Sequence, residues 1–299
     1  MFQTMIPLFV DALANAALIF FVAFGLTLVF SVLRILNVAH GSFYSIGAYV
    51  AVILGLWIVG AGLNPWLTYP SLLLSAALVA ALFGPLIERT LVQWTYGKGE
   101  AVQILVTFGL FLILEDLQRL IFGVNSYYED TPAMLLGSVE IGGIIYLTYQ
   151  LLLIGLAIMV LILMRLFIGH TRTGRLLAVV VADREVSEAL GINTRRMFTI
   201  AFTIGVFLAA LGGALATPTA GVAPGLGAET MVLAFAVAAI GGLGQVEGAA
   251  LAAVIVAVAR VLAIYFAPEL DAVAPYLVML VVLLIRPYGL FGKAAVRRI

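Results

Sequence analysis

Apolar residues in this chain come in long unbroken runs, with no two-residue alternation and no polar face at helical spacing. The runs fall near 8–33, 43–60, 71–87, 103–122, 146–167, 199–217, 228–240, 249–267 and 274–288. Several reach the ~20 residues that a helix needs to cross a bilayer. Strands of an outer-membrane barrel alternate apolar and polar positions, and these runs do not. The pattern therefore predicts an all-α polytopic membrane protein with about eight or nine transmembrane helices. The seventh run is short for a full crossing and ends in Gly241-Gly242-Leu243-Gly244. That predicts a broken or re-entrant segment. The chain, 1–299, reads as one transmembrane domain.

Composition narrows the class. Of 299 residues, 64% are hydrophobic and 10% are charged, and mean hydropathy is +1.21. A soluble domain carries about 25% charged residues, so this chain has too little charge to cover a surface in water. A soluble enzyme, a nucleic-acid binder and a disordered protein are excluded. Met1 to Val10 contains no Lys or Arg, unlike the basic start of a cleaved signal peptide, and reads as the start of the first span.

Charge position gives an expected orientation. Thirteen of the fifteen basic residues fall in alternate connections: Arg34, then Arg89 and Lys98, then Arg165 to Arg196, then Arg286, Lys293, Arg297 and Arg298. The intervening loops 61–70, 123–145, 217–229 and 268–273 contain none. Basic loops stay cytoplasmic, which predicts an outer N-terminus and a cytoplasmic C-terminus.

Two connections are long enough to hold structure. The outer loop 123–145 carries two β-prone runs around Gly142-Gly143, the pattern of a small hairpin. Its charges are Glu129, Asp130 and Glu140, all acidic. The inner loop 168–198 reads as helical, with Asp183 at an N-cap and Gly191 at a C-terminal stop. A weak internal repeat pairs Gly47-Ala48-Tyr49-Val50-Ala51 with Gly248-Ala249-Ala250-Leu251-Ala252, each opening an apolar run after a break.

Chemistry-bearing residues are few. There is no cysteine, so no thiol chemistry. Neither Gly97-Lys98 nor Gly292-Lys293 is followed by Ser or Thr, so no phosphate-binding loop of that kind exists. His40 and His170 lack metal-ligand spacing, and no metal site is expected. His170 reads as a solvated residue of the basic loop. Asn37 and His40 lie one turn apart between the first two spans, in Asn37-Val38-Ala39-His40-Gly41. Unwound backbone at membrane depth survives only where protein buries it or it lines a watery cavity. That stretch reads either as a pore-lining break or as a cap and tight turn.

The charges well inside the fourth and eighth spans are Glu115, Asp116 and Arg119 in the fourth, and Arg260 in the eighth. Each costs roughly 2.5–3.5 kcal/mol at the bilayer centre, so partners are expected. Glu115 and Asp116 can both pair with Arg119 on one helix face. Arg260 has no acid within one turn, and Glu115 or Asp116 is its expected partner. Ala249, Ala253 and Ala257, together with Gly212-Gly213, read as close helix-packing positions.

Five pieces occur in order: Asn37-x-Ala39-His40-Gly41; Gly174-Arg175; Ala182-Asp183-Arg184-Glu185 with Gly191-Ile192-Asn193; Gly241-Gly242-Leu243-Gly244; and Arg286-Pro287-x-Gly289-Leu290-Phe291-Gly292. Together, over about residues 10–292, they resemble the permease subunits of the branched-chain amino acid family of ABC importers, the smaller H-type subunit in particular. One departure is Val92-Gln93-Trp94-Thr95-Tyr96, where the family usually carries an Arg-Pro-Leu-Arg-like run.

The resemblance implies a non-catalytic subunit of the bacterial inner membrane. Its implied partners are a second permease subunit, two cytoplasmic ABC ATPases, a periplasmic solute-binding protein and membrane lipid, with no nucleic acid. No cofactor is expected on this chain, and ATP and Mg belong to the ATPases. Asp183, Arg184, Glu185, Glu188 and Gly191 match the coupling helix that docks on the ATPase. Asn37, His40 and Gly41 are expected near the translocation gate, and Gly242 and Gly244 in the pathway. The same architecture could import urea, an amide or an aromatic acid. A carrier driven by an ion gradient is the alternative from another class, with Glu115 and Asp116 as its only coupling acids.

Overall fold

The computed structural model describes residues 2–141 and 144–292. Each of the nine apolar runs forms a helix: α1 (Phe2–Leu33), α2 (His40–Gly60), α3 (Thr68–Ile87), α4 (Glu100–Phe122), α6 (Thr148–His170), α9 (Thr194–Ala216), α10 (Leu226–Gly241), α11 (Val246–Phe266) and α12 (Ala274–Ile285). Shorter helices fill the connections: α5 (Thr131–Leu136), α7 (Arg172–Ala182) and α8 (Arg184–Ala189). Six segments are long and apolar enough to cross a membrane, whereas α10 and α12 are shorter. The 23 residues of α4 carry Glu100, Glu115, Asp116 and Arg119.

The expected hairpin is present. β1 (Ser138–Ile141) pairs antiparallel with β2 (Ile144–Leu147), Ser138 opposite Leu147 and Ile141 opposite Ile144. Its Gly142-Gly143 turn lies outside the described residues, as do Lys293, Arg297 and Arg298.

The bundle is centred on α9, which packs on α1, α2 and α3, while α1 also contacts α6, α10 and α11. Phe21, Phe24, Phe43, Phe198 and Phe202 fill one buried cluster. The outward faces are apolar as well: Leu82, Leu105, Ile113, Leu120 and Leu284 are all exposed, as suits a surface bathed in lipid. Lipid tails give little hydrophobic gain for helix association, so close van der Waals contact carries it. Gly213 lies against the Tyr44 carbonyl and Gly47 against the backbone of Ala210. Ala249, Ala253 and Ala257 are wholly buried, as their spacing predicts.

After α3 the chain widens into a π-turn, Glu88–Val92, then tightens into a 3-10 turn, Gln93–Thr95. Pro85, inside α3, has no N–H to give the helix ladder. Here the sequence departs from the permease pattern. The buried Glu88 carboxylate accepts from Tyr96 Oη at 2.5 Å and from Thr199 Oγ1 at 2.6 Å. Arg34, Lys98 and Arg184 line one cavity of about 430 Å³, which marks a basic end of the bundle.

Candidate functional site

The site begins where α1 stops. Arg34 ends that helix in left-handed backbone, φ 57°, with its N–H still donating to the Phe30 carbonyl. Residues 34–37 then run back into the bundle without helical structure. The Asn37 side chain accepts from the Ala39 N–H at 3.2 Å, and α2 opens at His40. Spacing alone placed Asn37 and His40 at the end of two spans. The structure places them much deeper. His40 contacts Gly25 in α1 and Gly205 in α9, roughly 12 Å before α1 ends and roughly 16 Å into α9 at 1.5 Å per residue. Asn37 and His40 are both buried. Among the described residues, Asn37 Nδ2, both ring nitrogens of His40, Ser42 Oγ and Thr27 Oγ1 have no hydrogen-bond partner of good geometry. An unpaired buried polar group costs about 1–3 kcal/mol, so this concentration marks a place that packing alone does not explain.

A second break meets the first. The 217–225 segment follows α9, and Gly225, φ 92°, opens the 16-residue α10. The two helix starts touch: Gly41 packs on the carbonyl of Gly227 and on Met231, and Gly227 on Ser45. α4 lines the junction. Thr107 Oγ1 donates to the Leu36 carbonyl at 3.2 Å, and Ser45 Oγ to Gln118 Oε1 at 2.5 Å. Glu115 Oε1 accepts from the Gly225 N–H at 2.8 Å, so a carboxylate sits at the positive end of the α10 dipole. The expected ion pairs of Arg119 are present but long, 3.8 Å to Glu115 and 3.6 Å to Asp116. The Gly225 contact is shorter and was not foreseen, because only the fold brings residues 115 and 225 together.

The glycine run lies at the other end of α10. Gly242 packs against Gly292 and Tyr288, beside Gly289, and Gly244 lies against Ser31. Gly241 packs on Gly248 at the start of α11. These contacts place Gly242 and Gly244 below the helix junction, not within it.

The inner loop folds as two helices. Thr171 caps α7 by accepting from the Gly174 N–H at 2.9 Å. Asp183 caps α8 by accepting from the Val186 N–H at 3.1 Å. Gly191, φ 79°, ends α8, with Gly191 N–H to the Glu188 carbonyl and Ile192 N–H to the Ser187 carbonyl, both at 3.0 Å. That is a Schellman stop. Glu188 accepts from Thr194 at 2.8 Å and from Arg184 at 3.0 Å, and these bonds hold its carboxyl below the usual range. The Arg184 guanidinium stacks 5.0 Å from Phe198. Glu185 and His170 are exposed.

Arg260 departs from expectation. Its Nε donates to Asp271 at 2.9 Å and its Nη2 stands 3.8 Å from Glu229, so neither Glu115 nor Asp116 is its partner. The reason is placement: α11 packs on α1, α10 and α12, not on α4. Asp271 lies in a stretch read as a loop and Glu229 at the boundary of the seventh run, and pattern gave no signal for them as partners of Arg260. Among the described residues no cluster of side chains could hold a metal ion.

Comparison with known proteins places this geometry in context. A family model described as the permease component of branched-chain amino acid transport systems matches residues 8–283. The high-affinity branched-chain amino acid transport system permease protein BraD of Pseudomonas aeruginosa is 29% identical over 93% of this chain and 92% of its own length. The permease protein LivH of Escherichia coli K12 is 27% identical over 93% and 92%. A probable LivH of Methanocaldococcus jannaschii is 24% identical over 94% and 90%.

Proposed function

This chain belongs to the family of permease components of branched-chain amino acid transport systems, and from that premise we propose how it works. It is a multi-pass membrane subunit of an ABC importer in the bacterial inner membrane, with an outer N-terminus and a cytoplasmic C-terminus. A periplasmic binding protein delivers a branched-chain amino acid to the outer face. The solute crosses between this subunit and a second permease. Two cytoplasmic ATPases bind the α7–α8 hairpin and supply the work through ATP and Mg held on their own residues. This chain holds no cofactor.

One observation carries the reading: two interrupted helices start against each other at Gly41 and Gly227, deep in the bundle. Transporters build sites near the midplane from discontinuous helices. A contact made by helix starts, with unsatisfied His40, Asn37 and Ser42 beside it, can open by small rigid-body shifts of α10 against α2. Asn37, His40 and Gly41 form the gate in this reading. Gly242 holds the base of α10 against the 286–292 segment, and Gly244 holds it against Ser31 at the end of α1. Asp183 to Gly191 couple the gate to the ATPase: Arg184 stacks on Phe198, which packs on Tyr96 at 5.1 Å, and Tyr96 bonds Glu88 under α3.

The test is reconstitution. Deleting residues 183–190 abolishes co-purification of the ATPases and ATP-driven uptake, and Glu188→Lys lowers uptake without changing solute binding by the outer receptor. If this subunit alone, with no nucleotide-hydrolysing partner, accumulates solute against a gradient, the reading fails.

A further inference from the structure

The charged group around Arg260 is unexplained by the gate or by the coupling helices. Its position follows from helix arithmetic. Gly241 of α10 touches Gly248 of α11. Glu229 lies twelve residues before Gly241 and Arg260 twelve after Gly248, so both stand roughly 18 Å from that contact. α12 has only twelve residues, and its far end leads to Gly289, which packs on Gly242. The short α12 therefore brings Asp271, three residues before it, to the same level. Three charges therefore meet roughly 18 Å from the Gly241–Gly248 contact, towards the opposite end of α10 and α11.

Charges carried on apolar helices face protein, water or a ligand. These face only partly into protein. The Glu229 side chain is 66% exposed and Arg260 26%. Asp271 holds the Nε edge of the guanidinium at 2.9 Å, while Nη2 to Glu229, at 3.8 Å, is beyond hydrogen-bond length. The Nη groups make no hydrogen bond among the described residues. Glu229 stands two residues past Gly227 in α10. The cluster thus adjoins the Gly41–Gly227 junction.

We propose that Glu229 and Arg260, with Asp271 fixing the guanidinium, form a binding site for the zwitterionic head of an α-amino acid on its way to the helix junction. The chemistry fits in two parts. A guanidinium with free Nη donors takes a carboxylate in a fork. Two carboxylates around one arginine leave a net negative charge, which an ammonium balances at Glu229. A solute with one charge leaves one half of the site unpaired.

This inference rests on the importer reading, and the two separate in one experiment. The chain has no cysteine, so Thr230→Cys, next to Glu229, supplies its only thiol and leaves all three charges in place. The complete complex is reconstituted with binding protein and ATPases, and labelling of this subunit by a membrane-impermeant cationic thiosulfonate is followed. The thiol is expected to react, and leucine to slow the reaction at least tenfold. Isopentylamine and 4-methylpentanoate, each with one of the two charges, are expected not to protect. In parallel, Glu229→Gln and Arg260→Gln lower leucine uptake at least tenfold in complexes that keep their subunits and melting temperature, and Glu229→Asp recovers part of it. An unreactive thiol, covered by the second permease, overturns the proposal. So does labelling indifferent to leucine, equal protection by a single-charge analogue, or unchanged uptake in the Gln variants. A wild-type complex that hydrolyses ATP yet accumulates no leucine overturns the importer reading, and this site with it.

Discussion

Gly41, in the first turn of α2, lies so close to Gly227, in the first turn of α10, that a methyl group at position 41 would run into the Gly227 carbonyl oxygen. The two helices are held there by backbone contact. The N-cap residues themselves, Ala39 and Gly225, give neither start a side-chain cap. Separation of two helix starts exposes several N–H groups together. That is the physical basis for placing the gate at this point.

Gly41→Ala is therefore expected to force the two helix starts apart. Its Cβ would also meet Met231 Cβ at 2.7 Å. Overpacking of this kind costs about 1–3 kcal/mol, and backbone on one side of the contact leaves little room to relax. The measurement is the melting temperature of the purified complex together with uptake. A lower melting temperature and lost uptake are expected, with Gly97→Ala, where a Cβ meets nothing within 4 Å, unsuitable as a control because its φ is 76°. Gly109→Ala, with open space and ordinary helical backbone, is the proper one.

Glu115 governs the other half of the junction. Glu115→Ala removes the acceptor of the Gly225 N–H and is expected to destabilise the start of α10 by about 1–2 kcal/mol. Glu115→Gln keeps an acceptor oxygen without the charge and should lose less. Hydrogen exchange at residues 225–229 reads this directly. Exchange should quicken most in the Ala variant, less in Gln, and not at all in Asp116→Ala, whose exposed carboxylate stands 3.6 Å from Arg119.

Much of this architecture was legible before any coordinates. Run length and the absence of polar faces marked nine apolar runs, each of which is a helix, because a helix in lipid must satisfy its own backbone and leaves a long apolar signature. Asp183 and Gly191 were legible because caps act locally, within three or four residues. Arg260 was misassigned for the opposite reason. Its partners, Glu229 and Asp271, stand 31 residues before and 11 after it, and helix register between segments does not show in a single sequence. The depth of His40 was hidden likewise: residues 34–37 look like any interfacial turn until Gly25 and Gly205 are seen on either side of the ring.

The inner hairpin should respond to acid. The Glu188 carboxyl is held below its ordinary value of 4.5 by hydrogen bonds from Thr194 and then Arg184. A depressed folded-state value means that the contribution is present above the unfolded pKa and is lost as pH falls through the folded one. Helicity of the 184–189 segment, followed by hydrogen exchange, is therefore expected to hold from neutral pH to just above 4.5 and to decline below it. In Glu188→Gln that acid-dependent decline should disappear. An unchanged pH profile in the Gln variant would remove Glu188 from this role.

Glu88 offers a test of the link between the hairpin and α3. Its carboxylate is almost wholly buried, with one oxygen bonded by Tyr96 and the other by Thr199. Neither donor is charged, so the group depends on both hydroxyls. Thr199→Val keeps shape and volume but leaves Oε2 unpaired, at a cost of about 1–3 kcal/mol. Thr199→Ser keeps the donor and should stay near wild type. Because Tyr96 packs on Phe198, which in turn carries Arg184 of α8, the Val variant should also loosen the support under the coupling segment. The combined outcome expected is a melting temperature several degrees lower, together with fewer molecules imported per ATP hydrolysed. A Val variant with lowered melting temperature but full coupling would confine Glu88 to holding α3 on α9, and would break the chain of contacts from Arg184 to the bundle.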